Sequence, residues 1–296
     1  MEKNGSKLKD IINKGELVVA IGAHDALNAK LVEKAGFNAV YIGSYSLEGT
    51  QKTNPDINIM TKTEKLEIFR NITNSVNIPV IADMEEGYGD FISVIKIIPE
   101  FEATGVLGVQ LDDQKIPSKC PFLPGPKNQL IPIDEMCQKI KAAIDTRTNP
   151  DFMIIARPVV IGTVSLEQFH KENKIEEVIE RGNAYARAGA DAIFVMPSNV
   201  EELNYYAEKI KASLVGIFSY VAPIPIEEFR KAGYKIVIGA NVCMLSAAKG
   251  AVNALKILKE TEDYNTIENY VITEEEFYDI VDIKKYDMYY KKYGIK

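Results

Sequence analysis

Histidine is nearly missing from this 296-residue sequence, where only His24 and His170 occur. That scarcity leaves little from which to assemble a histidine-rich metal site or a histidine-centred triad, so any metal has to lean on carboxylates. Cysteine is sparse too. Cys120, Cys137 and Cys243 are too scattered for a disulfide framework and form no CxxC pair of the kind that holds zinc, so reduced thiols are expected. No apolar run approaches the roughly 18 residues that span a bilayer. The segment behind Met1 also lacks the apolar stretch of a secretion signal, and the cytoplasm is the expected location. Basic residues do not gather on any stretch, and the net charge is -7, which removes nucleic acid from the expected partners.

What the chain does have is ordinary globular material, 46% hydrophobic and 26% charged, enough for a large core. Short β-branched or apolar runs recur at Leu17–Ile21, Ala39–Ile42, Pro79–Ala82, Leu107–Leu111, Phe152–Ala156, Ala192–Val195, Leu214–Phe218 and Ile236–Ile238. Between them lie amphipathic stretches such as Asp25–Ala35, Thr63–Val76, Ile133–Thr146, Ile175–Ala188, Val200–Lys211 and Ile226–Lys231. Eight alternating units predict parallel strands closed into a (β/α)8 TIM-type barrel, in preference to an open doubly wound sheet. The barrel is expected over residues 1–252. The Tyr-rich stretch 253–296 is expected to be a helical extension of the same domain that caps the barrel or packs on a neighbouring subunit.

Active sites of such barrels lie at the carboxyl ends of the strands. Two acidic clusters follow the third and fourth runs, Asp83-Met84-Glu85-Glu86-Gly87-Tyr88-Gly89-Asp90 and Asp112-Asp113-Gln114. Their oxygens suit Mg²⁺ or Mn²⁺, although acids in such loops also serve as solvated surface or helix caps. Arg157 ends the fifth run and needs a partner, either a substrate carboxylate or phosphonate or a salt bridge to Asp112 or Asp83. Cys120 stands in a Pro-rich loop beside Lys119, whose charge favours the thiolate. A plain structural thiol is the alternative. The loop 115–129 holds four prolines and few apolar anchors, which predicts a mobile lid.

These residues together resemble the isocitrate lyase and phosphoenolpyruvate mutase superfamily over almost the whole chain. Gly22-Ala23-His24-Asp25-Ala26-Leu27 is similar to its first unit, and Asn54-Pro55-Asp56 to its acidic loop after the second strand. The stretch from Ala82 to Gly89 resembles its A-D-x-D-x-G-Y-G signature, and Gln110-Leu111-Asp112-Asp113-Gln114 resembles its second acidic motif. The resemblance implies Mg²⁺ or Mn²⁺ held directly by Asp83, with Asp56, Glu85 and Asp112 acting mostly through water. It further implies that Arg157 contacts substrate and that the Gly43-Ser44-Tyr45 turn binds a pyruvoyl carboxylate through backbone N–H groups.

There are departures from the family pattern. Glu85 and Asp112 reverse the usual acid lengths, Gly43-Ser44 reverses the usual order, and Val159 and Met196 stand where relatives carry polar groups. Gln114 and Cys120 side with the carbon–carbon lyases, in which the cysteine is a general acid or base, but Pro121 and Phe122 replace the Gly-His that follows it there. His24 and the Ile238-Gly239-Ala240-Asn241 segment read more like the phosphonate branch. The preferred expectation is a Mg²⁺-dependent lyase cleaving a small 2-hydroxy or 2-oxo dicarboxylate-type acid through an enolate, with Cys120 and Arg157 catalytic. The alternatives are an enzyme of P–C bonds and a catalytically altered member that binds a small acid. A homotetramer of dimers exchanging C-terminal helices is expected from the Tyr270–Tyr293 stretch.

Overall fold

The computed structural model describes residues 7–219 and 222–294. Its strands are β1 (Val18–Gly22), β2 (Ala39–Ile42), β3 (Val80–Asp83), β4 (Gly108–Asp112), β5 (Met153–Arg157), β6 (Ala192–Phe194), β7 (Leu214–Ile217) and β8 (Ile236–Gly239). They are parallel, hydrogen-bond in chain order, and close into a barrel where β8 pairs with β1. Each strand lies within one residue of its sequence-predicted run at either end. The shift matters at β3 and β4. Asp83 and Asp112 are not the first loop residues but the last strand residues, and Arg157 ends β5 as expected, in a register that sets Asp83 opposite Gln110 and Asp112 opposite Arg157.

Strand alternation sorts the side chains into two layers. Val18, Ala20, Ile81, Met153, Ile155 and Phe194 belong to the packed barrel interior, while Val40, Ala82, Val109, Leu111 and Ile154 pack outward with the helices. The period of two therefore carries Asp83 (after Ile81), Gln110 and Asp112 (flanking Leu111) and Arg157 (after Ile155) to the inside of the barrel at its carboxyl end. The interior is apolar below and ionised at its mouth.

The helices are α1 (Lys7–Asn13), α2 (Ala26–Lys34), α3 (Ser44–Leu47), α4 (Lys62–Ser75), α5 (Phe91–Glu102), α6 (Ile133–Thr146), α7 (Leu166–Lys171), α8 (Ile175–Arg187), α9 (Val200–Lys209), α10 (Ile226–Lys231), α11 (Val242–Thr261), α12 (Glu274–Ile280) and α13 (Ile283–Tyr293). Short side chains fix their starts. Asp25 accepts from Asn28 N–H at 2.7 Å, Asp90 accepts from Ile92 and Ser93 N–H, and Thr61 with Glu64 forms a reciprocal cap on α4. α5 was not among the stretches named from sequence. It carries Pro99 in its last turn, where a break in the helix would be expected, yet packing of Val94, Ile98 and Phe101 keeps it whole.

The division drawn at residue 252 falls inside α11, so the last barrel helix and the extension share one continuous helix. Beyond it come a 3-10 turn, Tyr264–Tyr270, then α12 and α13. α12 rests on α2, helped by an ion pair between Lys34 and Asp279. α11 and α13 bury no residue, and Leu255, Met288 and Tyr293 are 65%, 63% and 69% exposed. Among the described residues, no helix is long and apolar enough to cross a membrane.

Candidate active site

A cavity of about 470 Å³ opens at the carboxyl end of the barrel. Gly43, Ser44, Tyr45, Asp56, Asp83, Cys120 and Arg157 all line it, seven of the nine residues singled out from sequence. Glu85 and Asp112 do not line it. They lie just behind the wall, 4% and 0% exposed, each against a basic side chain.

Asp83 is held from three directions. Its Oδ1 accepts from Glu85 N–H at 2.9 Å and Gln110 Nε2 at 3.4 Å, and its Oδ2 accepts from Tyr41 Oη at 3.4 Å. Burial, then the charge of Glu85 and of Asp112, pushes its carboxyl up to about 7, although Arg157 pulls the other way. Asp56 on the loop after β2 is pushed well above the usual carboxylate range by burial, then by Glu85 and Asp83. Burial raises Asp112 to about 6 against the pull of Arg157. Arg157 donates from Nε to Asp112 Oδ1 at 2.6 Å and from Nη2 to Oδ2, so the partner left open in the sequence reading is Asp112, while the guanidinium still borders the cavity.

The donor set can be weighed for a metal directly. Crowded carboxylates with raised pKa values hold repulsion that a divalent cation would relieve. Yet among the described residues no three Asp, Glu, His or Cys side chains stand together as a ready-made metal cluster. Lys65 on Glu85 at 2.5 Å and Arg157 on Asp112 draw two of the acids aside, which leaves Asp83 and Asp56 facing the cavity. Two hard oxygen donors with room for water fit Mg²⁺ or Mn²⁺.

The loop bearing Cys120 is docked over the cavity by polar contacts rather than apolar anchors. Cys120 N–H donates to Asp56 O at 3.0 Å, Ser118 Oγ donates to Glu86 Oε2 at 2.5 Å, and Asn58 Nδ2 donates to both Glu86 Oε2 and Ser118 Oγ at 3.0 Å. Asn128 closes the far side, donating to Lys119 O at 2.8 Å and, from its backbone, to Gly162 O at 2.9 Å. Burial pushes the Cys120 thiol up to about 11. Lys119 does not offset this, because its ammonium turns to the carbonyls of Leu123 and Pro124.

Two neighbouring acids have other work. Asp113 points away from the cavity and accepts from Val159 N–H at 2.8 Å, Tyr185 Oη at 2.7 Å and Arg181 Nη1 at 3.1 Å, a buried tie between β4 and α8. Glu86 holds the loop. His24, buried, meets Asn28 Nδ2 at 3.2 Å and lies outside the cavity lining. The structure also adds residues that the sequence reading did not name. Tyr41 lines the cavity and donates to Gln110 Oε1 at 3.1 Å, and Phe194 lies under the Arg157 guanidinium at 5.6 Å. Both are inward-facing strand positions, so the period of two that carries Asp83 was their available signal.

A sequence profile described as phosphoenolpyruvate phosphomutase matches residues 8–259. The chain belongs to the isocitrate lyase/phosphoenolpyruvate mutase superfamily. This superfamily member is 34% identical over 284 residues to a 2,3-dimethylmalate lyase of Eubacterium barkeri, covering 95% of this chain and 94% of that one. In shape it is similar to a phosphoenolpyruvate phosphomutase from Streptomyces platensis subsp. rosaceus, with a TM-score of 0.90, 26% identity, and 99% and 100% of the two chains covered. A phosphonopyruvate hydrolase solved with oxalate and Mg²⁺ gives 0.86 at 25% identity, with 98% and 99% covered. The superfamily thus contains Mg²⁺-bound structures and lyases of small acids.

Proposed function

We propose that the protein is a Mg²⁺-dependent carbon–carbon lyase that cleaves a small 2-hydroxy or 2-oxo dicarboxylate-type acid through an enolate. The observation that carries this reading is that the Cys120 thiol, kept protonated by burial, stands over the same cavity as Asp83 and Arg157. The rest of the wall supports it. Phe122, Leu123, Ile161, Met196, Ile217 and Leu245 offer no charge to a phosphonyl dianion but accept an alkyl substituent.

Mg²⁺ held by Asp83, with Asp56 acting mostly through water and the buried Glu85 and Asp112 adding negative charge behind them, would supply Lewis-acid stabilisation of the developing negative charge. Arg157 and the backbone N–H groups of the Gly43-Ser44-Tyr45 turn bind and orient the carboxylates. As the 2-hydroxyl of the substrate passes its proton to the Asp56 carboxylate on the cavity wall, its oxygen becomes the carbonyl oxygen of a 2-oxo acid, the C2–C3 bond breaks, and its electron pair passes to the second fragment as an enolate. Cys120 donates its proton to the enolate carbon, and the docked loop keeps water from competing.

The shape match to the phosphomutase supports a second reading, chemistry at a P–C bond. One assay separates them. Purified protein with Mg²⁺ is given 2- and 3-substituted malates beside phosphonopyruvate. Release of a 2-oxo acid from a malate, lost on chelation, is expected; phosphate release from phosphonopyruvate alone overturns the lyase reading, and binding without turnover would leave a small-acid-binding protein. The unpartnered faces of α11 and α13 support assembly as a homotetramer of dimers exchanging C-terminal helices, and a cytoplasmic enzyme is the setting this reading assumes.

A further inference from the structure

One buried cation has no part in the chemistry above. Lys65 lies on the helix outside the barrel, yet its side chain is 0% exposed and runs inward to the back of the acidic cluster. Its Nζ is 2.5 Å from Glu85 Oε1 and 3.1 Å from Ser44 Oγ, and it sits 5.7 Å from the centre of the Tyr88 ring. An ammonium loses much hydration on burial and is retained only where its charge is matched. Here the carboxylate in direct contact is that of Glu85.

Glu85 is held in place as firmly as Lys65 is buried. Its backbone has a φ of +54°, a conformation that costs a non-glycine residue, and both ends of it are tied, N–H to Asp83 Oδ1 at 2.9 Å and C=O to Asp112 N–H at 2.7 Å. The Glu85 carboxylate thus meets the ammonium directly, and its charge is also felt at the cavity acids Asp83 and Asp56. Among acidic neighbours it exerts the largest influence on both Asp56 and Asp83, and Lys65 opposes it at Asp56.

We propose that Lys65 is an internal counter-cation that competes with the divalent metal for the negative charge of Glu85 and so sets the metal affinity of the site. The proposal rests on the reading that Asp83 and Asp56 face a bound Mg²⁺ or Mn²⁺. A fixed ammonium on Glu85 cancels attraction that the metal would otherwise feel, and repels the metal itself. At the separations of a single side-chain cluster and an effective dielectric near 20, that interaction is worth at least about tenfold in binding. The contact with Ser44 makes Lys65 a positioning residue as well, since the same ammonium anchors the turn proposed to hold the substrate carboxylate.

The test is Mn²⁺ affinity of the full chain, read by the electron spin resonance of free Mn²⁺, together with the rise in melting temperature that Mn²⁺ produces. Lys65→Met is expected to bind Mn²⁺ about tenfold or more tightly, with a larger metal-induced rise in melting temperature. Glu85→Gln, which leaves the ammonium unopposed, is expected to bind about tenfold more weakly. Opposite shifts from the two partners of one ion pair are what a merely structural pair would not give. Unchanged or weaker binding by a folded Lys65→Met overturns the proposal; if that variant does not fold even with Mn²⁺, unchanged affinity in Glu85→Gln overturns it. When the unmodified protein binds Mn²⁺ and only the variant shifts fail, the metal reading survives. When neither the unmodified protein nor Lys65→Met takes up Mn²⁺, both ideas fall.

Discussion

Asp112 and Arg157 face each other across the β4–β5 ladder, and the guanidinium grips the carboxylate with two hydrogen bonds, one of them 2.6 Å long from Nε to Oδ1. The fork geometry orients Arg157 toward the cavity and leaves Asp112 without exposed surface. Arg157→Met should therefore cost about 3–5 kcal/mol, because it strands a buried carboxylate. Adding Asp112→Asn should restore part of the loss. Urea unfolding of the four forms checks this; simple additivity of the single changes would show that the pair is not coupled.

Asp83 links stability to both pH and metal. In metal-free protein, burial and the charge of Glu85 raise its carboxyl from 3.8 to about 7. The folded state then holds a proton that the unfolded chain has released, so the contribution is fully present below pH ~4 and is lost as pH rises through about 7. Melting temperature without metal should fall across that window, and Mg²⁺ should restore it on the alkaline side. Asp83→Ala should stay folded, flatten the fall, lose the Mg²⁺ effect and abolish turnover. Full turnover after exhaustive chelation would remove the metal from the reaction.

Cys120 should behave as an acid at neutral pH. With its thiol near 11, alkylation by iodoacetamide, followed at this residue by mass spectrometry, should stay slow through pH 9 and quicken toward pH 11. Cys120→Ser should lower the turnover number by roughly a hundredfold or more, with Mn²⁺ affinity little changed. Carbon–carbon cleavage at an undiminished rate would make Cys120 a packing residue and favour the phosphonate reading.

The exposed face of α11 should be covered in solution. Light scattering at micromolar concentration should give a tetramer, and glutamate at both Val252 and Leu255, 61% and 65% exposed here, should give smaller species. A monomeric unmodified protein ends the idea.

Much of this site is legible in the sequence, for a physical reason. Asp83, Asp112 and Arg157 close apolar runs whose interior neighbours demand burial, so strand alternation alone dictates which way they face. Lys65 was not recognised, though its signal is there. It stands four residues before Phe69 and seven before Ile72, on the apolar stripe of α4, where a lysine has to find an acid. What docks the loop 115–129 is not legible in its composition, for the opposite reason. Its anchors, Asp56, Asn58 and Glu86, are polar groups far away in the chain, and no local pattern links Ser118 to Glu86. Neighbours on a strand or helix are legible from spacing; partners across a loop are not.

The docking of that loop ties it to its neighbours in the barrel mouth. Cys120 N–H holds the segment that carries Asp56, and Ser118 holds the segment that follows Asp83, so the cover is clasped by the two loops that floor the cavity. Lifting the cover therefore breaks hydrogen bonds that take no part in the chemistry proposed for the cavity, and those bonds decide how firmly it is shut.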